Sequence, residues 1–211
     1  MPDDTFSASP PLPAHAAAHA QDLAEACAAR TGHWMAAAVD PRSYDAWLLA
    51  KLIATREVRG ELASLGLSPE HWGRLVSRHF TGDAMPSAPA GGVTMLNKQE
   101  HVDFVTKLRA LMLRYVSPVV SGDDAQCLAS IIVHACLRPD HLWRDLGLAG
   151  REEVSVMLDR YFPALVALNV ENLRWKKFLA QQLALSLGQE PGPAPGCPGC
   201  EDYGHCFPCA V

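Results

Sequence analysis

Four cysteines fall within the last fifteen residues, in the run Cys197-Pro-Gly-Cys200-Glu-Asp-Tyr-Gly-His205-Cys206-Phe-Pro-Cys209. Thiolates this close in sequence either pair as disulfides or bind a soft metal, and the redox compartment decides between them. The first residues, Met1-Pro-Asp-Asp-Thr-Phe-Ser, hold two acids and neither the basic region nor the apolar stretch of a secretory signal. A reducing cytoplasm is therefore expected, where such a cluster reads as metal-binding or catalytic rather than as a disulfide framework.

The spacing is C-x2-C-x5-C-x2-C. Cysteines two apart can turn back on a single metal through the small residues between them, as in both zinc and iron sites. A zinc ribbon separates its two pairs by about a dozen residues or more. Here only the five residues from Glu201 to His205 intervene. Compact runs of this kind resemble iron-sulfur ligation. Two alternatives stay open: a structural zinc tail on a helical interaction domain, and a dithiol redox centre, which lacks the βαβ context usual for that motif. His205 is a candidate accessory ligand or a loop histidine without a role. Arg174, Lys176 and Lys177 place three cations near the middle of an expected helix. They form a solvated face, or a patch that attracts an oxyanion such as molybdate or an acidic partner.

These residues must be carried by a body of adequate size. A chain of 211 residues with 49% hydrophobic content can bury a sizeable core, as one domain with tails. Its net charge of -5, from 18 basic and 23 acidic residues, supplies no positive field for nucleic acid or an anionic membrane surface. The apolar run Leu128 to Leu137 is broken by Ser130 and His134. It falls short of the roughly 20 residues a membrane span requires.

No strand-like alternation of any length occurs, so the expected fold is all-α, an irregular helical bundle. Residues 1–13 carry four prolines among small polar residues and are expected to be a disordered lead. Residues 14–188 form the helical body, and 189–211 a Pro/Gly tether with the cysteine-rich segment reaching outward. Within the body, a helix from Ala14 is expected to stop near Thr31-Gly32, and a second to run from Ser43 to Arg59 before Gly60. Ser68-Pro69 opens a third, residues 81–96 form a loop, and Asn97 to Val116 is an amphipathic helix. Ser121 caps the next, whose Cys127, His134 and Cys136 read as core residues. Pro163 opens a single long helix to Gly188. The stretches Leu65-Gly66-Leu67 to Phe80 and Leu146-Gly147-Leu148 to Phe162 echo each other, which is consistent with a duplicated helical hairpin.

Three collinear stretches within residues 125–209 are more specific. They are Ala135-Cys136-Leu-Arg-Pro-Asp-His141-Leu-Trp143-Arg-Asp145-Leu-Gly-Leu148, then Asn169-Val-Glu-Asn172-Leu-Arg174-Trp175-Lys176-Lys177-Phe178, then Ala194-Pro195-Gly-Cys197 through Cys206-Phe207. Together they resemble the NifQ family of nitrogen-fixation proteins. The resemblance implies a molybdenum carrier rather than an enzyme, one that holds a molybdenum-iron-sulfur cluster and donates molybdenum during assembly of the iron-molybdenum cofactor of nitrogenase. It implies the cofactor-assembly scaffold and the nitrogenase iron protein as partners. The family's pattern is C-x4-C-x2-C-x5-C, and Cys197, Cys200 and Cys206 fall on its last three cysteines while the first falls on Gly192. Cys209 is the candidate substitute for that missing ligand.

Overall fold

The fold comes from a computed structural model that describes residues 14–82 and 98–208. The lead 1–13, most of the 81–96 loop and Cys209 lie outside the described residues. Every regular element described is helical, ten α-helices and two short 3₁₀ turns, beside one isolated antiparallel bridge between Ala38 and Phe80. The chain is all-α, as its periodicity predicts.

Helix α1 spans Ala14–Ala36 and runs straight through Gly32, past the expected stop. The reason lies two residues on. Trp34 is fully buried, its ring edge-on to Phe80 at 4.9 Å and to Trp72 at 6.2 Å, and its indole N–H donates to Glu57 at 3.0 Å. A glycine inside a helix costs about 1 kcal/mol, while losing a buried tryptophan costs about 3–5 kcal/mol. The tryptophan wins. Helix α2, Tyr44–Val58, starts where the Ser43 hydroxyl accepts from Ala46 N–H, and the chain leaves it through Gly60 at φ +68°. A 3₁₀ turn, Leu62–Leu65, and helix α3, Pro69–His79, complete a first half.

The second half repeats this plan. Helix α4, Gln99–Leu113, precedes α5, Gly122–Ala135, which Ser121 caps; short α6, Leu142–Leu146, and α7, Arg151–Tyr161, follow. The echo read from the sequence thus extends to whole halves. Asp45 and Asp124, Leu49 and Leu128, and Ile53 and Ile132 each stand 79 residues apart on the two central helices. In each half the last helix returns to its own linker, His79 O accepting from Val39 N–H and Tyr161 O from Ser117 N–H, both at 2.9 Å.

The halves also cross-link. His79 Nε2 meets Asp124 at 2.9 Å, and the Tyr161 hydroxyl donates to Asp45 at 2.8 Å. Gly66 and Gly147 both take a left-handed conformation after the short helix. A Cβ on Gly66 would strike His134 of α5 at 2.1 Å, and one on Gly147 would strike Thr55 of α2 at 2.0 Å. Each short helix is thereby seated on the other half's central helix. Burial on nearly every side makes α2 and α5 the core, and Cys127, His134 and Cys136 are core residues as expected.

The expected long final helix is two. After α8, Pro163–Val166, the chain turns at Asn172, which has φ +52°, and restarts as α9, Trp175–Ser186. The Asn169 side chain makes the turn by bonding both N–H and C=O of Leu173, at 2.8 and 3.0 Å. Asparagine tolerates the left-handed region better than other non-glycine residues. Arg174, Lys176 and Lys177 therefore sit at a helix start, not mid-helix.

Candidate metal centre

The cysteine segment does not hang free. Gly196 N–H donates to Cys136 O at 3.0 Å, and Ala194 and Cys197 are buried. A Cβ on Gly196 would lie 2.0 Å from Arg138 O, and one on Gly199 would lie 2.4 Å from the Pro139 side chain. Small residues that read as linker composition let the segment lie flat against residues 136–139.

That seat is held from beneath by charge. Lys176 is buried, contrary to the solvated-face reading, and its ammonium donates to Asp145 at 2.5 Å and to Arg138 O at 2.8 Å. The other Asp145 oxygen accepts from Arg138 at 3.2 Å, and Arg138 also pairs with Glu61 at 3.1 Å. Glu61 pairs in turn with buried Arg56 at 2.9 Å. Removing such ions from water costs several kcal/mol each, which mutual pairing must offset. The network ties the first half's 3₁₀ turn to α6 and α9 under the cysteine segment.

From this seat the chain makes a 3₁₀ turn, Cys197–Gly199, and a short helix α10, Tyr203–Cys206. Cys197, Cys200 and Cys206 line one pocket. Lys177 donates to Cys206 O at 2.6 Å and lies over the Phe207 ring at 5.1 Å. Arg174 bonds Asp202 at 2.8 Å, and Arg144 bonds Glu201 at 3.2 Å. The acidic pair between the second and third cysteines is thus pinned by two guanidiniums.

Electrostatics act in both directions on the thiols. Burial raises the Cys197 thiol above its usual range, with Lys176 opposing; burial likewise raises Cys206, against the pull of Arg174 and Lys177. Cys200 and Cys206 act on Cys197, and Cys200 acts on Cys206, so the three share one electrostatic neighbourhood. Among the described residues, no three Cys, His, Asp or Glu side chains have drawn together on a single point. The donor chemistry still fits a thiophilic cargo of negative charge: three soft ligands in a rim of cations and aromatic rings.

The site residues named from sequence divide cleanly. Cys197, Cys200, Cys206, Arg174, Lys176 and Lys177 all line the pocket. His205 is exposed on α10 and does not line it. Cys209 lies outside the described residues. Gly192 lines a separate groove with Phe104, Lys107 and Leu187, and a Cβ there would meet nothing within 4 Å. His141 and Trp143 line the cysteine pocket and were missed as site residues. Their one sequence signal is membership of the stretch Cys136 to Leu148 that carries the family resemblance.

Fold and site together define a helical protein with a thiol-lined, cation-rimmed pocket made by its own C-terminal segment. A profile of the family described as NifQ matches residues 46–208, and the chain belongs to that family. It is 37% identical over 153 residues to Protein NifQ of Azotobacter vinelandii, covering 68% of this chain and 76% of that protein. To Protein NifQ of Klebsiella pneumoniae it is 33% identical over 147 residues, 68% of this chain and 85% of that one. A Protein NifQ homolog of Sinorhizobium fredii is 44% identical over 101 residues, and there the match spans only 43% of the relative's length. No solved structure matches. Membership is consistent with a role in nitrogen fixation. Among the described residues, no helix is long and apolar enough to cross a membrane.

Proposed function

We propose that the chain is a cytoplasmic carrier of a molybdenum-iron-sulfur cargo, which it donates for synthesis of the nitrogenase iron-molybdenum cofactor. The observation that carries this reading is that Cys197, Cys200 and Cys206 line one pocket with Arg174 and Lys177. Thiolates are the ligands of iron-sulfur assemblies, and neighbouring cations favour the negative charge such assemblies carry. Cys200 and Cys206 are only half-buried, which suits cargo that must leave again.

In this reading the chain binds and releases and does no bond-making chemistry on a substrate of its own. Lys176 and Asp145 hold the seat, Lys177 holds the Cys206 carbonyl, and Arg174 sets the loop through Asp202. The acceptors are a cofactor-assembly scaffold and the nitrogenase iron protein. A test is to load the chain anaerobically in molybdate-fed cells and add it to a nitrogen-fixing extract that lacks its own family member. Nitrogenase activity restored in proportion to added molybdenum is expected. Full restoration by a chain with all three cysteines changed to serine would refute the carrier role.

A further inference from the structure

One imidazole lines the same pocket as the three thiols. His141 lines the cysteine pocket, and its ring stacks on Trp143 at 6.2 Å with an interplanar angle of 14°. Its Nε2 lies 3.2 Å from Asp202 Oδ2 and 3.5 Å from Glu201 Oε1. Nε2 is thus the ring nitrogen turned to the carboxylates, which leaves Nδ1 for another partner. Metal-binding histidines typically set one ring nitrogen against a carboxylate and present the lone pair of the other.

We propose that His141 is the fourth protein ligand in this pocket, binding through Nδ1 beside the thiolates of Cys197, Cys200 and Cys206, with Asp202 as its outer carboxylate. This rests on the reading of the pocket as a metal site. Gly192, on the stretch that leads into the docked segment, lines a different groove. His205 is exposed on α10 and does not line the pocket. Imidazole suits borderline metals in mixed nitrogen and sulfur sites.

Cobalt(II) tests this without relying on cargo transfer, because the intensity of its thiolate charge-transfer band counts sulfur ligands. The full chain, purified without oxygen and stripped of metal, is titrated with cobalt(II) as wild type, His141→Ala, His141→Cys and Cys209→Ala. Wild type is expected to show a three-thiolate band. His141→Ala should bind at least about tenfold more weakly, on the scale of losing support to a metal site, with the band per bound cobalt unchanged. His141→Cys should recover affinity and raise the band by about a third, as a fourth sulfur joins. Cys209→Ala should change neither quantity. A fall of about a quarter in the wild-type band on Cys209→Ala, with His141→Ala silent, would overturn the assignment in favour of the terminal cysteine. If cobalt does not bind at all, the metal-site reading falls and the assignment with it. If it binds as expected but no molybdenum is ever transferred, only the carrier role falls.

Discussion

Replacing Gly196 with alanine should free the cysteine segment while the helical body stays folded. Gly196 has φ −82°, a conformation alanine adopts readily, so the obstacle is purely steric. The new Cβ would sit 2.0 Å from Arg138 O and 2.5 Å from its carbonyl carbon. That carbonyl cannot yield, because the buried Lys176 ammonium holds it. The segment must lift instead. It would lose the hydrogen bond to Cys136 O, worth about 1 kcal/mol, and the burial of Ala194 and Cys197, worth about 2 kcal/mol. About 3 kcal/mol corresponds to an increase of roughly a hundredfold in the undocked fraction. The assay is the alkylation rate of Cys197 in metal-free protein, followed by mass spectrometry, with thermal unfolding as the control for the body. Burial raises the Cys197 thiol in the wild type, so slow alkylation there is part of the expectation. A folded Gly196→Ala protein whose Cys197 reacts no faster than wild type would refute the docked seat.

Asp145→Asn should cost about 3–5 kcal/mol in urea unfolding with an unchanged slope, because it strands the charges of Lys176 and Arg138 in a buried setting. At alkaline pH, Cys127 and Cys136 should resist alkylation until the chain unfolds, since burial pushes each thiol up to about 12, while Cys200 and Cys206 react first. Burial alone would raise the Asp45 carboxyl, yet hydrogen bonds from Arg160 and Tyr161 outweigh it and hold the carboxyl below its ordinary value. Its contribution to stability is then present above the unfolded carboxyl range and lost as pH falls through the depressed folded value, so Asp45→Asn should flatten the acid limb of a stability-pH curve.

What was legible in the sequence was local. Ser43, Ser68 and Ser121 announce helix starts because a side-chain oxygen reaches an amide only three residues on, and each does so here. The solitary stop at Gly32 failed because Trp34 gains its partners from Trp72 and Phe80, far along the chain. The break at Asn172 failed for a similar reason, since apolar spacing continues across a turn that Asn169 imposes. For the candidate site, Cys197, Cys200 and Cys206 were readable from spacing, and Arg174 and Lys177 from charge. The docking of the segment was not, because a proline- and glycine-rich stretch has the same composition whether it is a free tether or a strip fitted to one backbone. Lys176 looked solvated only because Asp145, its partner, is 31 residues away. His141 stood apart from every cysteine in sequence, and only folding brings it opposite Glu201 and Asp202.

The proposed function requires this pocket to hold a molybdenum-iron-sulfur cargo on the thiolates of Cys197, Cys200 and Cys206. The most direct measurement is iron, sulfide and molybdenum content per chain, with optical and EPR spectra, after anaerobic purification from molybdate-fed cells, for wild type and for Cys197→Ser, Cys200→Ser and Cys206→Ser. Iron, sulfide and molybdenum together in wild type, each depleted by every one of the three substitutions, is the predicted result. Zinc alone, or iron and molybdenum retained when all three cysteines are serine, would contradict it.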